Sequence, residues 1–152
     1  QRPATRAEAL RECTALCEAT RAAEDWLQLA LALIQRGELL CWQHRWDEAV
    51  AAYREGIAVA DEALEPLPLA YGLWNLPGAL AHRREPERAA RLMGFAAGYW
   101  RDRFGELSPA DRHDQRRVLR LVAAQAGADR AAAWAAEGEA LPLTDALRLA
   151  LR

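Results

Sequence analysis

The sequence predicts an all-α protein in which two-helix hairpins stack into a solenoid. Its 152 residues include 35 Ala and 23 Leu but only four Val and two Ile, a bias that favours helices over strands. Apolar residues recur at spacings of three and four, which is the pattern of one helix face. The chain also matches itself at an offset of 40 residues. Because one hairpin cannot bury its apolar face alone, we expect such repeats to stack on their neighbours.

The repeat is visible as columns of matching residues. Ala9, Ala49 and Ala89 share one column, where small side chains allow paired helices to approach closely. A second column holds bulkier packing residues, namely Cys13, Tyr53 and Met93.

Residues 1–105 are predicted to hold the repeats. The expected helices run from about Thr5 to Thr20, Asp25 to Gln43, Trp46 to Leu64, Pro66 to His82 and Pro86 to Phe104. The first is the second half of a repeat whose first half is missing. Pro77 falls inside the fourth and removes one backbone hydrogen bond, so we expect a kink or a break near Leu73.

Residues 106–152 are predicted to cap the solenoid with irregular helices, since the period fails after Phe104. Ser108 and Pro109 have the residue types of an N-cap and a first helical position. That helix is expected to end at Gly127, a left-handed stop. Two further helices are expected at about Ala128–Ala140 and up to Leu151, the last capped by Thr144. We expect residues 1–152 to form a single domain.

The best-preserved unit carries Gly37 and Leu40 on its first helix and Trp46, Ala49 and Tyr53 on its second. This spacing resembles the tetratricopeptide repeat, in which a small and a bulky residue on the first helix pack against an alanine and an aromatic residue on the second. The resemblance implies a right-handed α-α superhelix.

The next copy departs from this pattern, because Pro77 replaces the expected glycine and Met93 the aromatic residue. The 40-residue period, against about 34 in the usual repeat, is similar to that of the longer repeats in MalT-like and other LuxR-type ATPase regulators. The segments Glu87–Gly94, Leu107–Arg112 and Ala131–Gly138 resemble the C-terminal end of many multidomain bacterial regulators. The resemblance implies a STAND-type ATPase module before the repeats and a DNA-binding domain elsewhere in the chain.

Composition argues against several function classes. A net charge of −2, with arginines interleaved among acids, disfavours direct nucleic-acid contact. All 20 basic residues are Arg, which excludes chemistry that needs a lysine. We therefore predict no enzymatic activity and no cofactor.

The cysteines raise the question of a metal site. Cys13, Cys17, Cys41 and His44 could supply four zinc ligands. However, Cys13 and Cys17 occupy packing columns, so we interpret them as buried free thiols and predict no metal.

Neither a membrane span nor a secreted disulfide framework is expected. The most apolar stretch, Trp26 to Ile34, has about half the length that a bilayer requires. Three cysteines are an odd number, and no secretory signal is visible. We predict a cytoplasmic location. Because the chain begins with Gln1 and not Met, we interpret it as part of a larger protein.

The first helices of the repeats are expected to line a concave groove, where partners of solenoids usually dock. An aromatic and amide surface suits a protein segment or a small polar effector such as a sugar. By repeat register the groove residues are Gln35, Glu38, Trp42, Tyr71, Trp74, Asn75 and His82. In the alternative interpretation Trp42 and Trp74 pack between neighbouring helices. We expect the other tryptophans to pack in the core or between repeats, namely Trp26, Trp46, Trp100 and Trp134.

Three functions remain open. The first is a non-catalytic sensor or interaction region at the C-terminal end of a bacterial transcriptional regulator. The second is a generic adaptor on the same scaffold, and the third is a small ligand-binding or metal-dependent helical enzyme. Leu10 and Leu16 lack a hairpin partner, so we also expect a weak homodimer.

Overall fold

The computed structural model describes residues 5–152. Within this range the protein consists of eight helices and contains no strand, which confirms the all-α class. The first four residues of the predicted ranges 1–105 and 1–152 lie outside the described part. The helices are α1 (Arg6–Ala22), α2 (Trp26–Trp42), α3 (Trp46–Glu62), α4 (Pro66–His82), α5 (Pro86–Phe104), α6 (Pro109–Ala126), α7 (Ala128–Glu139) and α8 (Leu143–Leu151).

The chain divides into two compact units, Gln1–Asn75 and Leu76–Arg152, with the boundary inside α4. Neighbouring helices pack on one another along the first unit, α1 on α2 and α2 on α3. In the second unit α5 packs against α6, α7 and α8. The prediction of a single domain remains a prediction.

Four nearly identical turns separate the first five helices. Glu24, His44, Leu64 and Arg84 stand 20 residues apart, and each adopts a positive φ between 55° and 60°. The residue after each turn donates its N–H to a carbonyl five residues back, as from Asp25 to the Thr20 oxygen at 3.0 Å. This left-handed geometry is the common way to end a helix. The resulting helix period of 20 residues is half of the sequence offset.

Side-chain caps fix several helix starts. Thr5 and Glu8 form a reciprocal capping box at α1, and Ser108 and Asp111 form another at α6. The Asp25 side chain accepts the Gln28 N–H at 3.2 Å. Each cap satisfies backbone donors that a helix start otherwise leaves unpaired.

Glycine positions set how closely helices approach in each unit. In the first unit the ring of Tyr53 occupies the space where a Cβ of Gly37 would lie. In the second, a Cβ on Gly94 would overlap the Ala135 carbonyl, and one on Gly138 would overlap the Arg91 carbonyl. The α5 and α7 backbones therefore meet with no side chain between them.

Three sequence expectations need correction. Of the kink or break expected near Leu73, the break does not occur, because α4 is continuous from Pro66 to His82; the kink stays a prediction. Thr144 is not a cap, since α8 begins at Leu143 and its N-cap position is Pro142. Trp26 does not pack in the core, because it is 45% exposed at the first position of α2; its packing between repeats stays a prediction.

Candidate functional site

The first half of the predicted groove is an exposed face of α2. At about 100° per residue, Gln35, Glu38 and Trp42 fall within about 60° of one another around the helix axis. Trp42, the last residue of α2, is 59% exposed. Glu38 is half-buried, and burial raises the pKa of its carboxyl group. The face thus combines a large aromatic surface with a partly desolvated carboxyl group.

The backbone beneath Trp42 is held by the start of α1. Arg6 donates from Nη1 to the Trp42 carbonyl at 3.2 Å. In return, the Gln43 side-chain amide donates to the Arg6 carbonyl at 3.4 Å. These contacts anchor the end of α2 without covering the indole ring.

The second half of the predicted groove lies on α4. Tyr71 is exposed and Asn75 is half-buried, whereas Trp74 is only 9% exposed. The Asn75 amide donates to the Tyr71 carbonyl at 2.9 Å, so this donor is engaged within its own helix. His82 is exposed and belongs to the second unit. The use of all seven residues as one groove stays a prediction.

The leucines expected to lack a partner differ in exposure. Leu16 is exposed on α1, while Leu10 is half-buried. The homodimer inferred from them stays a prediction.

The predicted burial of two cysteines is confirmed. Cys13 and Cys17 are both buried, and the Cys13 thiol donates to the Ala32 carbonyl at 3.2 Å. Burial raises the pKa of Cys13 to about 11 and also raises that of Cys17. Cys41 is half-buried, with its sulfur 3.6 Å from the Tyr53 hydroxyl. Among residues 5–152, no group of three or more His, Cys, Asp and Glu side chains is placed to hold a metal.

A charged cavity of about 340 Å³ lies on the opposite side of α2. Arg36 and Leu40 line it from α2, roughly 150° around the helix axis from the Trp42 face. Sequence reasoning missed this site. A signal was nevertheless present, because Arg36 stands in an otherwise apolar stripe with Leu29, Leu33 and Leu40.

A second cavity, of about 520 Å³, lies in the second unit between α5, α7 and the chain leading into α8. Its charged groups are largely engaged with their neighbours. Arg103 lies over the Tyr99 ring, 4.8 Å from the ring centroid. Glu139 forms an ion pair with Arg101. The sequence analysis did not identify this cavity either.

The described residues form an all-α protein of sequentially packed helices, which carries the exposed Trp42 face and the cavities described above. No protein-family model, no curated protein and no solved structure matches the chain. In the part of the chain that the structure describes, no helix combines the length and the apolar character needed to cross a bilayer.

Proposed function

We propose that this chain is a non-catalytic binding module that captures a protein segment on the face formed by Gln35, Glu38 and Trp42. The observation that carries the proposal is the 59% exposure of Trp42 at the last position of α2. Exposing a large aromatic surface to water is unfavourable, and tryptophan is among the residues that contribute most to protein interfaces. Trp42 therefore serves as the apolar anchor of the interface.

Glu38 determines which charge the bound segment should carry. Its carboxyl group is half-buried, and desolvation alone accounts for its raised pKa. A cationic side chain on the ligand would supply the opposite charge that such a partly desolvated carboxylate favours. The matching segment therefore places an apolar residue on Trp42 and an arginine or lysine beside Glu38. We favour a protein segment over a small effector because Trp42 lines neither described cavity.

The scaffold we propose is a right-handed superhelix of the tetratricopeptide type. The 20-residue spacing of the turns and the contact between Gly37 and Tyr53 support it. The resemblance of the later segments to regulator C-terminal ends supports a place in a bacterial transcriptional regulator. In such a chain, segment binding would bias the ATPase module to which the repeats are joined.

Selection from a random peptide library displayed on phage tests this proposal. Peptides recovered on the wild-type protein are then measured against Trp42→Ala and Glu38→Gln. The control is Trp26→Ala, which removes another exposed tryptophan from α2 but on a different face. We expect Trp42→Ala to weaken binding by about tenfold or more, Glu38→Gln to weaken only peptides that carry a cation, and Trp26→Ala to have no effect.

The thermal midpoint of Trp42→Ala distinguishes an anchor from a packing residue. An exposed anchor contributes little to folding, so the midpoint should stay close to that of the wild type. Collapse of the fold in Trp42→Ala, or peptides that bind it as tightly as the wild type, would refute the assignment.

A further inference from the structure

The cavity on the other side of α2 is bounded by three parts of the first unit. Arg11 and Glu18 line it from α1, Arg36 lines it from α2, and Arg45 lines it at the residue preceding α3. Its volume of about 340 Å³ is at the lower end of the range of small-molecule sites. The cavity is therefore large enough for a small ligand or one charged group of a larger one.

The lining of this cavity is cationic. Three arginines face one carboxylate, that of Glu18. Arg45 is partly neutralised from outside the cavity, because its guanidinium donates to both oxygens of Glu48 at 2.7 and 2.6 Å. The charge of Arg11 interacts with the nearby carboxylate of Glu8. Arg36 forms no hydrogen bond or ion pair with a carboxylate among the described residues. The groups that line the cavity itself therefore carry three positive charges and one negative charge, with Glu8 and Glu48 close to it.

Arg36 is the unusual member of this group. It is half-buried within the apolar stripe of α2, and its Nε is inaccessible to water and has no hydrogen-bond partner. A buried N–H donor without a partner costs about 1–3 kcal/mol, and more when the group is charged. Glu48 lies close enough to interact with Arg36 through charge, but no acceptor among the described residues bonds to its Nε.

We propose that this cavity binds a small oxyanion, a phosphate or carboxylate group, with Arg36 as its central donor. A planar guanidinium matches the oxygens of either group with two parallel hydrogen bonds. The bound oxyanion supplies the directly bonded counter-charge that Arg36 lacks, while Arg11 and Arg45 close the site from α1 and from the start of α3. This site is separate from the Trp42 face, so it does not depend on the proposed function.

Titration of the wild-type chain with inorganic phosphate and, separately, with citrate tests the proposal. Sodium chloride at matched ionic strength is the reference, because all three salts then screen the charges of the protein equally. Calorimetry gives the affinity, and the guanidinium signals of Arg36 in ¹⁵N NMR spectra report the site. We expect saturable binding with a shift of those signals. Saturable binding of phosphate but not citrate would indicate a phosphorylated ligand. Saturable binding of citrate but not phosphate would indicate a carboxylate ligand.

Two variants and a control locate the site. Arg36→Gln should weaken anion binding by about tenfold or more, which corresponds to losing one charged hydrogen bond. Arg11→Gln, at an exposed position, should weaken it less and keeps the test valid if Arg36→Gln fails to fold. Arg130→Gln removes an exposed arginine from α7 and should bind as the wild type does. The proposal would be overturned if neither anion shows saturable binding. It would also be overturned if the wild type and Arg11→Gln bind with equal affinity and the Arg36 signals do not shift.

Discussion

The aromatic ring of Tyr53 lies against the backbone of Gly37, so that a Cβ at residue 37 would stand 2.5 Å from the Cε1 atom of the ring. Tyr53 is fully buried in α3, and Gly37 lies in the middle of α2. The missing side chain on one helix thus makes the space that the aromatic ring of the other fills. This contact fixes the separation of α2 and α3.

Gly37→Ala should destabilise the protein because the ring cannot move away without disturbing the core. Overpacking of this kind costs about 1–3 kcal/mol. Gly78→Ala is the matched control, since a Cβ there would meet only Val118, at an ordinary 3.8 Å. Alanine inside a helix is favoured over glycine by about 0.5–1 kcal/mol, so this control should be stabilised. Unfolding in urea measures the stability of both variants. Equal unfolding midpoints for Gly37→Ala and Gly78→Ala would contradict the packing of Tyr53 against Gly37.

A substitution in the turn at Leu64 should have the opposite effect and stabilise the protein. Leu64 has a φ of 57° and is 85% exposed, so its side chain adds strain and little packing. A left-handed conformation costs a residue with a Cβ about 1–2 kcal/mol, which glycine avoids. Leu64→Gly should therefore raise the free energy of unfolding by about 0.5–1 kcal/mol, after the larger chain entropy of glycine is subtracted.

Leu16→Gly is the control for this turn, because it makes the same change at an exposed position inside α1. There glycine only weakens the helix, and we expect a loss of about 1 kcal/mol. A loss of stability in both variants would show that the positive φ at residue 64 carries no strain. The measurement is chemical denaturation followed by circular dichroism.

Residue patterns were sufficient to predict much of this architecture. The spacing of apolar residues gave the helices from Pro86 to Phe104 and from Trp46 onward to within two residues of their observed ends. The resemblance to the tetratricopeptide repeat implied that Gly37 packs against the second helix of its hairpin, and Gly37 does lie against the ring of Tyr53. The helix predictions depend on short-range periodicity, which a single sequence displays directly.

Other features could not be predicted, either because the usual residue is missing or because they join residues far apart in the sequence. The turns have Glu24, His44, Leu64 and Arg84 where glycine is usual, so composition gave no sign of the positive φ. The close approach of Gly94 to the Ala135 carbonyl joins helices that the repeat does not relate. The cationic cavity likewise combines arginines from separate elements, and only the side chain at residue 36 interrupted an expected pattern.

Glu38→Gln should stabilise the protein at neutral pH. Burial disfavours the charged form of Glu38, which is why its pKa lies above the ordinary value of 4.5. A carboxyl group whose pKa is higher in the folded state supports folding while protonated and loses that contribution as the pH rises through the folded-state pKa. Glutamine has no charge to bury, so the gain in the free energy of unfolding should be present at pH 7. It should disappear at a pH below 4.5, the ordinary pKa of the carboxyl group.

Glu12→Gln provides the comparison for this pH dependence, since Glu12 is exposed on α1. Unfolding by urea at pH 7 and again in acid gives the difference between each variant and the wild type. We expect a pH-dependent gain for Glu38→Gln and a change close to zero for Glu12→Gln. A gain of the same size at both pH values would show that ionisation of Glu38 is not its cause.

Arg88 attaches α8 to α5 and should be essential for that docking. Its side chain is only 12% exposed, and it donates to the Leu149 carbonyl at 2.6 Å and the Ala150 carbonyl at 3.1 Å. Both carbonyls belong to the last turn of α8, where a cation satisfies unpaired acceptors and opposes the helix dipole. Arg88→Met should cost about 1.5–3 kcal/mol, the value of a hydrogen bond to a charged group.

Hydrogen exchange shows where that loss acts. Amides of α8 should exchange faster in Arg88→Met, while those of α1 to α3 keep their protection, because local opening affects the helix whose contacts are removed. Arg148→Met is the matched control: this arginine also lies on α8, but it is largely exposed and pairs only with Asp145, and exposed pairs contribute little. If α8 exchanges equally fast in the wild type and in Arg88→Met, then apolar packing of Ala146 and Leu147, and not Arg88, holds this helix in place.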